Sequence, residues 1–360
     1  NERLSSTPPS NWSNHPPSAN HTRNNFAVVN KNLGGKEAPF RARINNCKTI
    51  DETVQIAHLY LDYLPPSETA FFWKKLSTLL GKSLRNNYGG PGGVGKFGEY
   101  WGRVKMHHRD DNNNQTMEHQ LSSLFRHTTN GIVFDEYNPV DLSSVAQSLA
   151  SIVQSVSGNR GGRMNKNYQT ILHNILVRDN GNPFWGPVQD RTLAVIDSFR
   201  PKWLVSIAWA FATVMNMKPV NRNNMNNNLD VSPFFHALRR TFNQRRGEFT
   251  SKHLGNLAWS CMTCRQKMPL LLDDFANEFT HRRKQELDGD YKIDDILDPM
   301  TLCQWANAFA KSRHKDEELF RSIAAAAIPL LSEFDARNFS NLAYACALAG
   351  IVPKVPSGSY

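Results

Sequence analysis

A single spacing recurs five times between residues 132 and 352, and little other than a stack of helices satisfies it. An apolar residue is followed five positions later by a second. An apolar–Ala pair then stands at offsets eight and nine, and another apolar residue at twelve. The copies are Tyr137/Leu142/Val145-Ala146/Leu149, Phe199/Leu204/Ile207-Ala208/Phe211, Phe249/Leu254/Leu257-Ala258/Cys261, Leu297/Leu302/Trp305-Ala306/Phe309 and Phe334/Phe339/Leu342-Ala343/Cys346. At about 100° per residue these offsets share one face of an α-helix. Offset one carries Asn138, Arg200, Thr250, Asp298 and Asp335, of which four are good N-caps. Offset two carries Pro139, Pro201 and Pro299, a residue that the first helical turn tolerates because its missing N–H had no partner there. With the N-cap at offset one, offsets zero and five become N′ and N4, the pair that a hydrophobic staple joins. The motif therefore specifies where each helix starts and which face it buries.

A second amphipathic stretch follows the motif helix: Tyr168 to Leu176, Phe234 to Phe242, Leu270 to Phe279 and Leu319 to Ile328. The motif alanines, Ala146, Ala208, Ala258, Ala306 and Ala343, lie 62, 50, 48 and 37 residues apart. A unit of two helices with a shortest period of 37 predicts an all-α fold, an α-solenoid of tandem helix hairpins. The longer spacings carry insertions, including the Asn-rich patch Asn221 to Asn228. Ahead of the array, residues 44–83 read as a helical lead-in, within which 64–80 form a poorer copy with Thr69 at the staple position. Residues 84–131 read as a Gly/Asn-rich insertion. Residues 1–43, rich in Ser, Asn and Pro, read as a disordered basic tail, with a composition that also suits the end of an organellar transit region.

The motif residues carry a family resemblance. Leu204 to Thr213 (LVSIAWAFAT) and Phe334 to Ala347 (FDARNFSNLAYACA) resemble the repeats of organellar octotricopeptide and heptatricopeptide RNA-binding proteins, relatives of the FAST-kinase-domain and RAP-domain proteins. Ile44 to Val54 (INNCKTIDETV) is similar to the lead-in helix of such arrays. The resemblance implies an RNA-binding α-solenoid of a mitochondrion or plastid, acting on organellar transcripts or ribosomal RNA. It also implies a place in transcript stability, processing or translation, alone or within a ribosomal or RNA-processing complex. The spacing is looser than in a regular array, which removes any simple residue-to-base register.

Charge agrees with a polyanionic partner. Lys and Arg number 42 against 32 Asp and Glu, a formal net charge of +10. Between residues 231 and 284 stand Arg239, Arg240, Arg245, Arg246, Lys252, Arg265, Lys267, Arg282, Arg283 and Lys284. Gathered on one surface, Arg239, Arg240, Arg245, Arg246, Lys252, Arg282, Arg283 and Lys284 are candidate RNA contacts; dispersed, they are a solvated face. A polar column supplies the other candidates. Two positions before the motif alanines stand Ser144, Ser206, Asn256, Gln304 and Asn341. They either meet bases in a groove or hydrogen-bond between repeats. One position after the alanines stand Gln147, Trp209, Trp259, Asn307 and Tyr344, where aromatics suit stacking on bases but core packing is the preferred reading. The rival to RNA is a peptide, because helical stacks also make protein-interaction scaffolds.

No enzyme, metal or cofactor is expected. Gly90 to Lys96 has the spacing of a phosphate loop, but Phe97 replaces the Mg²⁺-binding Ser or Thr and no apolar strand precedes it. Cys261 and Cys264 are a lone CxxC inside a motif helix. His107 to Asp111 stand in the polar insertion, and Asp288 to Asp295 lack the glycine and glutamate of a calcium loop. Five scattered cysteines are no disulfide framework. No apolar run reaches the roughly 18–20 residues of a membrane span.

Overall fold

Every motif helix begins where the cap chemistry places it. The computed structural model describes residues 39–85, 111–133, 135–157, 170–172, 175, 184–216, 229–287, 297–314 and 316–351, and among these there are helices and no strands. The five motif helices run Pro139–Ser157, Pro201–Met215, Ser251–Thr263, Pro299–Lys311 and Ala336–Ala349. Four predicted caps form. Asn138 Oδ1 accepts from the N–H of Val140 and Asp141, and Thr250 makes a capping box with His253. Asp298 and Asp335 accept from Thr301 N–H and Asn338 N–H. Arg200 makes no side-chain cap, which leaves that helix start to Pro201. The staple residues of the first three copies, Tyr137/Leu142, Phe199/Leu204 and Phe249/Leu254, are all buried.

In chain order the helices are α1 (Phe40–Asn46), α2 (Ile50–Leu59), α3 (Pro66–Arg85), α4 (Asp111–Val133), α5 (Pro139–Ser157), α6 (Trp185–Ala194), α7 (Pro201–Met215), α8 (Ser232–Gln244), α9 (Ser251–Thr263), α10 (Pro269–Leu287), α11 (Pro299–Lys311), α12 (Glu317–Ala327) and α13 (Ala336–Ala349). They pack in two files. In the first, α3 lies on α5, α5 on α7, α7 on α9, α9 on α11 and α11 on α13. In the second, α2 lies on α4, α4 on α6, α6 on α8, α8 on α10 and α10 on α12. The motif face is the seam between the files. Val145, Ala146, Ile207, Ala208, Leu257, Ala258, Trp305 and Ala306 are all inaccessible to solvent. Alanine at offset nine lets the helices approach closely, and burying the larger partners supplies roughly 1.5–3 kcal/mol each.

Three expectations need correcting. The 84–131 insertion is helical from Asp111, and Met117, Leu121, Leu124 and Ile132 of α4 are buried. The Asn-rich beginning of that helix hid its period. The second-file helix beside α5 is α6, packed between α4 and α8, which the pairing of α5 with 168–176 left out. Of that stretch only residues 170–172 and 175 are described; 170–172 are helical, with Ile171 and Leu172 buried. The Gly and Pro flanking Trp185, Gly186 and Pro187, had masked the helix. The lead-in also starts earlier than residue 44, because Phe40 and Ile44 of α1 pack into the core. Residues 64–80 do supply a first-file helix, α3. Its Thr69 is buried because Oγ1 donates back to Pro65 O at 3.1 Å. The remaining amphipathic stretches fall within α8, α10 and α12.

One device closes four successive hairpins and had no sequence signature. The carbonyl of the residue at offset zero accepts a cation or imidazole donor from the second helix of the same hairpin, or the residue just past its end. His127 Nε2 reaches Leu64 O at 2.8 Å. Arg191 reaches Tyr137 O at 3.4 Å and Asp135 O at 3.2 Å. Arg245 reaches Phe199 O at 3.1 Å and Asp197 O at 2.9 Å. Arg282 reaches Phe249 O at 2.6 Å and Arg246 O at 3.1 Å. Antiparallel helices bring the end of the second beside the start of the first. The offset-zero carbonyls there belong to a turn, outside the helical ladder, and a planar guanidinium can serve two carbonyls at once.

The last motif copy departs from the others. Phe339, at the staple position, is 57% exposed, and Tyr344 and Leu348 of the same helix are 58% and 47% exposed. No helix among the described residues covers the side of α13 turned away from α11.

Candidate nucleic-acid interface

The motif face points into the seam, so offsets 3, 7, 10 and 14 point out of it. At about 100° per residue the buried offsets 5, 8, 9 and 12 average some 180° away from these four. Across α3, α5, α7, α9, α11 and α13 the outward positions hold Lys74, Lys202, Lys252, Lys311 and Arg337, with no Asp or Glu at any of them. Side-chain amides stand at Gln147, Asn256, Gln304, Asn307 and Asn341. Aromatic rings stand at Phe71, Trp209, Trp259 and Tyr344. Because the six helices are packed in sequence, these positions form one surface.

The predicted polar column lies on it. Ser144, Ser206, Asn256, Gln304 and Asn341 are all half-buried. Ser206 Oγ donates to Gln147 Oε1 of the preceding file helix at 3.4 Å, and also to Lys202 O at 3.2 Å. Asn256 Nδ2 donates to Lys252 O at 2.8 Å, which leaves its carbonyl oxygen as the outward group. Gln304 Oε1 is covered and has no hydrogen-bond partner. Of the five, only Ser206 is hydrogen-bonded across the file among the described residues, so bonding between repeats accounts for one member of the column.

Lys252 joins this surface, its Nζ 2.8 Å from Asp298 of the next file helix. Burial alone would raise the Asp298 carboxyl; the hydrogen bonds from Lys252 and Thr301 outweigh it and hold the group below the usual carboxylate range.

The other predicted cations are elsewhere. Arg239, Arg240, Arg245, Arg246, Arg282, Arg283 and Lys284 belong to α8, to α10 or to the turn after α8, all in the second file. Arg239 pairs with Asp274 of α10 at 2.6 Å. Arg245 is held by Glu248 at 2.5 Å besides the two carbonyls above. Arg282 is 11% exposed and bonds Glu278, itself 13% exposed, at 2.7 Å. Arg246 bonds Asn243, stacks over Phe242 and faces Glu278. Arg283 pairs with Glu286, and Lys284 with Glu318 of α12 at 2.5 Å. Arg240 is exposed and has no ion-pair partner among the described residues. The sequence cluster thus divides into hairpin clamps, ion pairs and the exposed Arg240, with Lys252 alone on the outward face of the first file, paired with Asp298.

Trp209 and Trp259 are half-buried, each packed on the core along one side. The preferred reading of both as core residues therefore covers half of each ring. Trp73 and Trp305, by contrast, are wholly buried and their N–H groups donate to Thr128 Oγ1 at 2.9 Å and Ser251 O at 3.0 Å.

The CxxC is closed to chemistry. Cys261 and Cys264 are buried, and burial pushes the Cys261 thiol up to about 12 and raises Cys264 as well. Burial also raises Cys303, to about 11. Since the thiolate is the reactive form, Cys261, Cys264 and Cys303 of the native protein at pH 7.5 are expected to react with a thiol-specific disulfide reagent only as fast as the fold opens. Rapid stoichiometric labelling of Cys261 would contradict that burial. No group of three or more metal-ligating side chains occurs among the described residues. The Gly90–Lys96, His107–Asp111 and Asp288–Asp295 segments lie outside the described residues. No helix among the described residues is long and apolar enough to cross a membrane. No protein-family model matches the chain, and no curated protein matches its sequence.

Proposed function

We propose that the chain is an α-solenoid of helical hairpins that binds RNA along the outward face of its first file. The observation that carries this reading is the outward face running over six successive helices, whose outward offsets hold lysine, arginine, amide and aromatic side chains and no Asp or Glu, although Asp298 at offset one pairs with Lys252. A polyphosphate chain requires cations without opposing carboxylates, and bases require amides and rings. The two-file packing order is what a solenoid requires. In the organelle that the family resemblance implies, a mitochondrion or plastid, the ligand is a transcript or ribosomal RNA. A peptide groove has less support, because the outward face is mostly polar and charged, with its large apolar and aromatic side chains, Phe71, Val140, Trp209, Trp259, Met300, Tyr344 and Leu348, interspersed among polar positions over six helices.

The test is fluorescence anisotropy with a labelled single-stranded RNA of about 20 nucleotides, at rising salt. Binding is expected to weaken with a linear log–log slope. Replacing Lys74, Lys202 and Arg337 together by Glu is expected to cost at least about tenfold in affinity and to flatten the slope by roughly one unit per lost contact. Lys202 and Arg337 are in the first turns of α7 and α13, where an acid suits the helix dipole. Unfolding therefore does not explain the loss. Equal affinity of the triple variant and the unaltered protein would move the interface off this face.

A further inference from the structure

The RNA reading leaves open which form of RNA the surface takes, and two neighbouring positions address that. Ser206 Oγ lies 3.4 Å from Gln147 Oε1, so offset seven of one file helix sits beside offset ten of the helix before it. In the same register Asn256 sits beside Trp209, and Gln304 beside Trp259. Resting on the RNA reading above, we propose that Trp209 with Asn256, and Trp259 with Gln304, form two subsites for unpaired bases. The indole carries the base, and the amide of the next helix meets its Watson–Crick edge.

The rings are suited to this because the protein leaves them unfinished. Each packs against the core along one side, and among the described residues neither has an aromatic or cationic partner or an acceptor for its N–H. The wholly buried Trp73 and Trp305 have their N–H groups met. The amides agree. Asn256 has spent its NH₂ on Lys252 O and turns an acceptor outward. Gln304 Oε1 is covered and without a partner, so its NH₂ is the outward group. The first subsite therefore offers an acceptor and the second a donor.

Every RNA base has both an N–H donor and an acceptor on its Watson–Crick edge, so one acceptor or one donor distinguishes the bases poorly. In a duplex, however, those groups are consumed by pairing and the ring faces by stacking. The two subsites accordingly select single strands over duplex, with little preference among bases. Lys202, one turn before Ser206, is placed for a phosphate beside the first subsite.

The experiment compares labelled oligouridine and oligoadenine strands, and the duplex they form, on the full chain. Each single strand is expected to bind at least about tenfold tighter than the duplex, in line with the value of stacking on an aromatic side chain. Trp209→Ala with Trp259→Ala is expected to weaken single-strand binding by roughly five- to 150-fold per lost stack, with the salt slope unchanged. Trp209→Phe with Trp259→Phe is expected to keep affinity within about threefold, since a ring remains, while most RNA-induced quenching of tryptophan fluorescence disappears. Undiminished affinity in a folded double-Ala variant overturns the subsites and leaves RNA binding standing. Equal binding of duplex and single strand does the same. If the alanine variant does not fold, quenching that persists in the phenylalanine variant overturns them instead. No binding of any RNA by the unaltered chain removes the RNA reading and this inference with it.

Discussion

Trp305→Ala is expected to remove about 3–5 kcal/mol of stability, the range for truncating a fully buried tryptophan. Trp305 is inaccessible to solvent. Its ring stacks on Phe309 of its own helix, with centroids 5.3 Å apart and planes 7° apart, and lies 4.6 Å from Phe279 of α10. Its N–H donates to Ser251 O in the first turn of α9. One side chain thus joins α9, α10 and α11, and its loss leaves a cavity at their junction and removes the bond to Ser251 O. Gly255 shows how closely the site is fitted, because a Cβ there would lie 2.7 Å from the indole. Gly255→Ala gains about 1 kcal/mol of helix propensity but forces the indole to shift, at roughly 1–3 kcal/mol. In the Trp305→Ala background the clash has gone, so Gly255→Ala is expected to turn stabilising there. Denaturant midpoints of the four proteins in this cycle decide it; strict additivity of the two substitutions would show that Gly255 and Trp305 do not meet.

The second large effect concerns Arg282. Arg282→Met is expected to cost about 3 kcal/mol, because breaking a buried pair strands the remaining charge. Here that charge is Glu278, left with Arg246 3.8 Å away, and the Phe249 carbonyl loses its bond from Arg282 as well. Arg282→Lys is expected to recover little, since a compact ammonium lacks the planar fork that reaches a carboxylate and two carbonyls from one position. Below the melting temperature RNA affinity should be unchanged in both variants, because Arg282 is in the second file. A variant with native thermal stability and weakened RNA binding would return Arg282 to the RNA contacts that its place in a basic run had suggested.

Those two residues also show what made some features legible and others not. The start of α11 was readable because an N-cap, a proline at N1 and a staple are all local: Asp298, Pro299 and the Leu297/Leu302 pair act within a few residues of one another. The end of α10 was not. Arg282 and Arg283 are adjacent and chemically alike, yet one clamps Phe249 O from 33 positions away and the other pairs with Glu286. Only the antiparallel return of the hairpin brings Phe249 to Arg282. The helix α4 was missed for a related reason: its first turns are Asn-rich, and its apolar period begins only at Met117. For the candidate interface, offset seven was picked out because its polar residues recur inside an apolar frame. The half-exposure of Trp209 and Trp259 at offset ten was not, because tryptophan suits both a core and a surface.

From the sequence alone follow an all-helical chain, the first residues of its motif helices and the stripe that each buries, all consequences of caps, staples and a 3.6-residue period acting over a single turn or two. The tertiary structure decided the order in which helices stack, despite alanine spacings that run from 62 to 37 residues. It also separated the cations into clamps and surface groups. Contacts between helices depend on where distant segments return, and insertions between the motif helices change the sequence distance without changing which helix meets which.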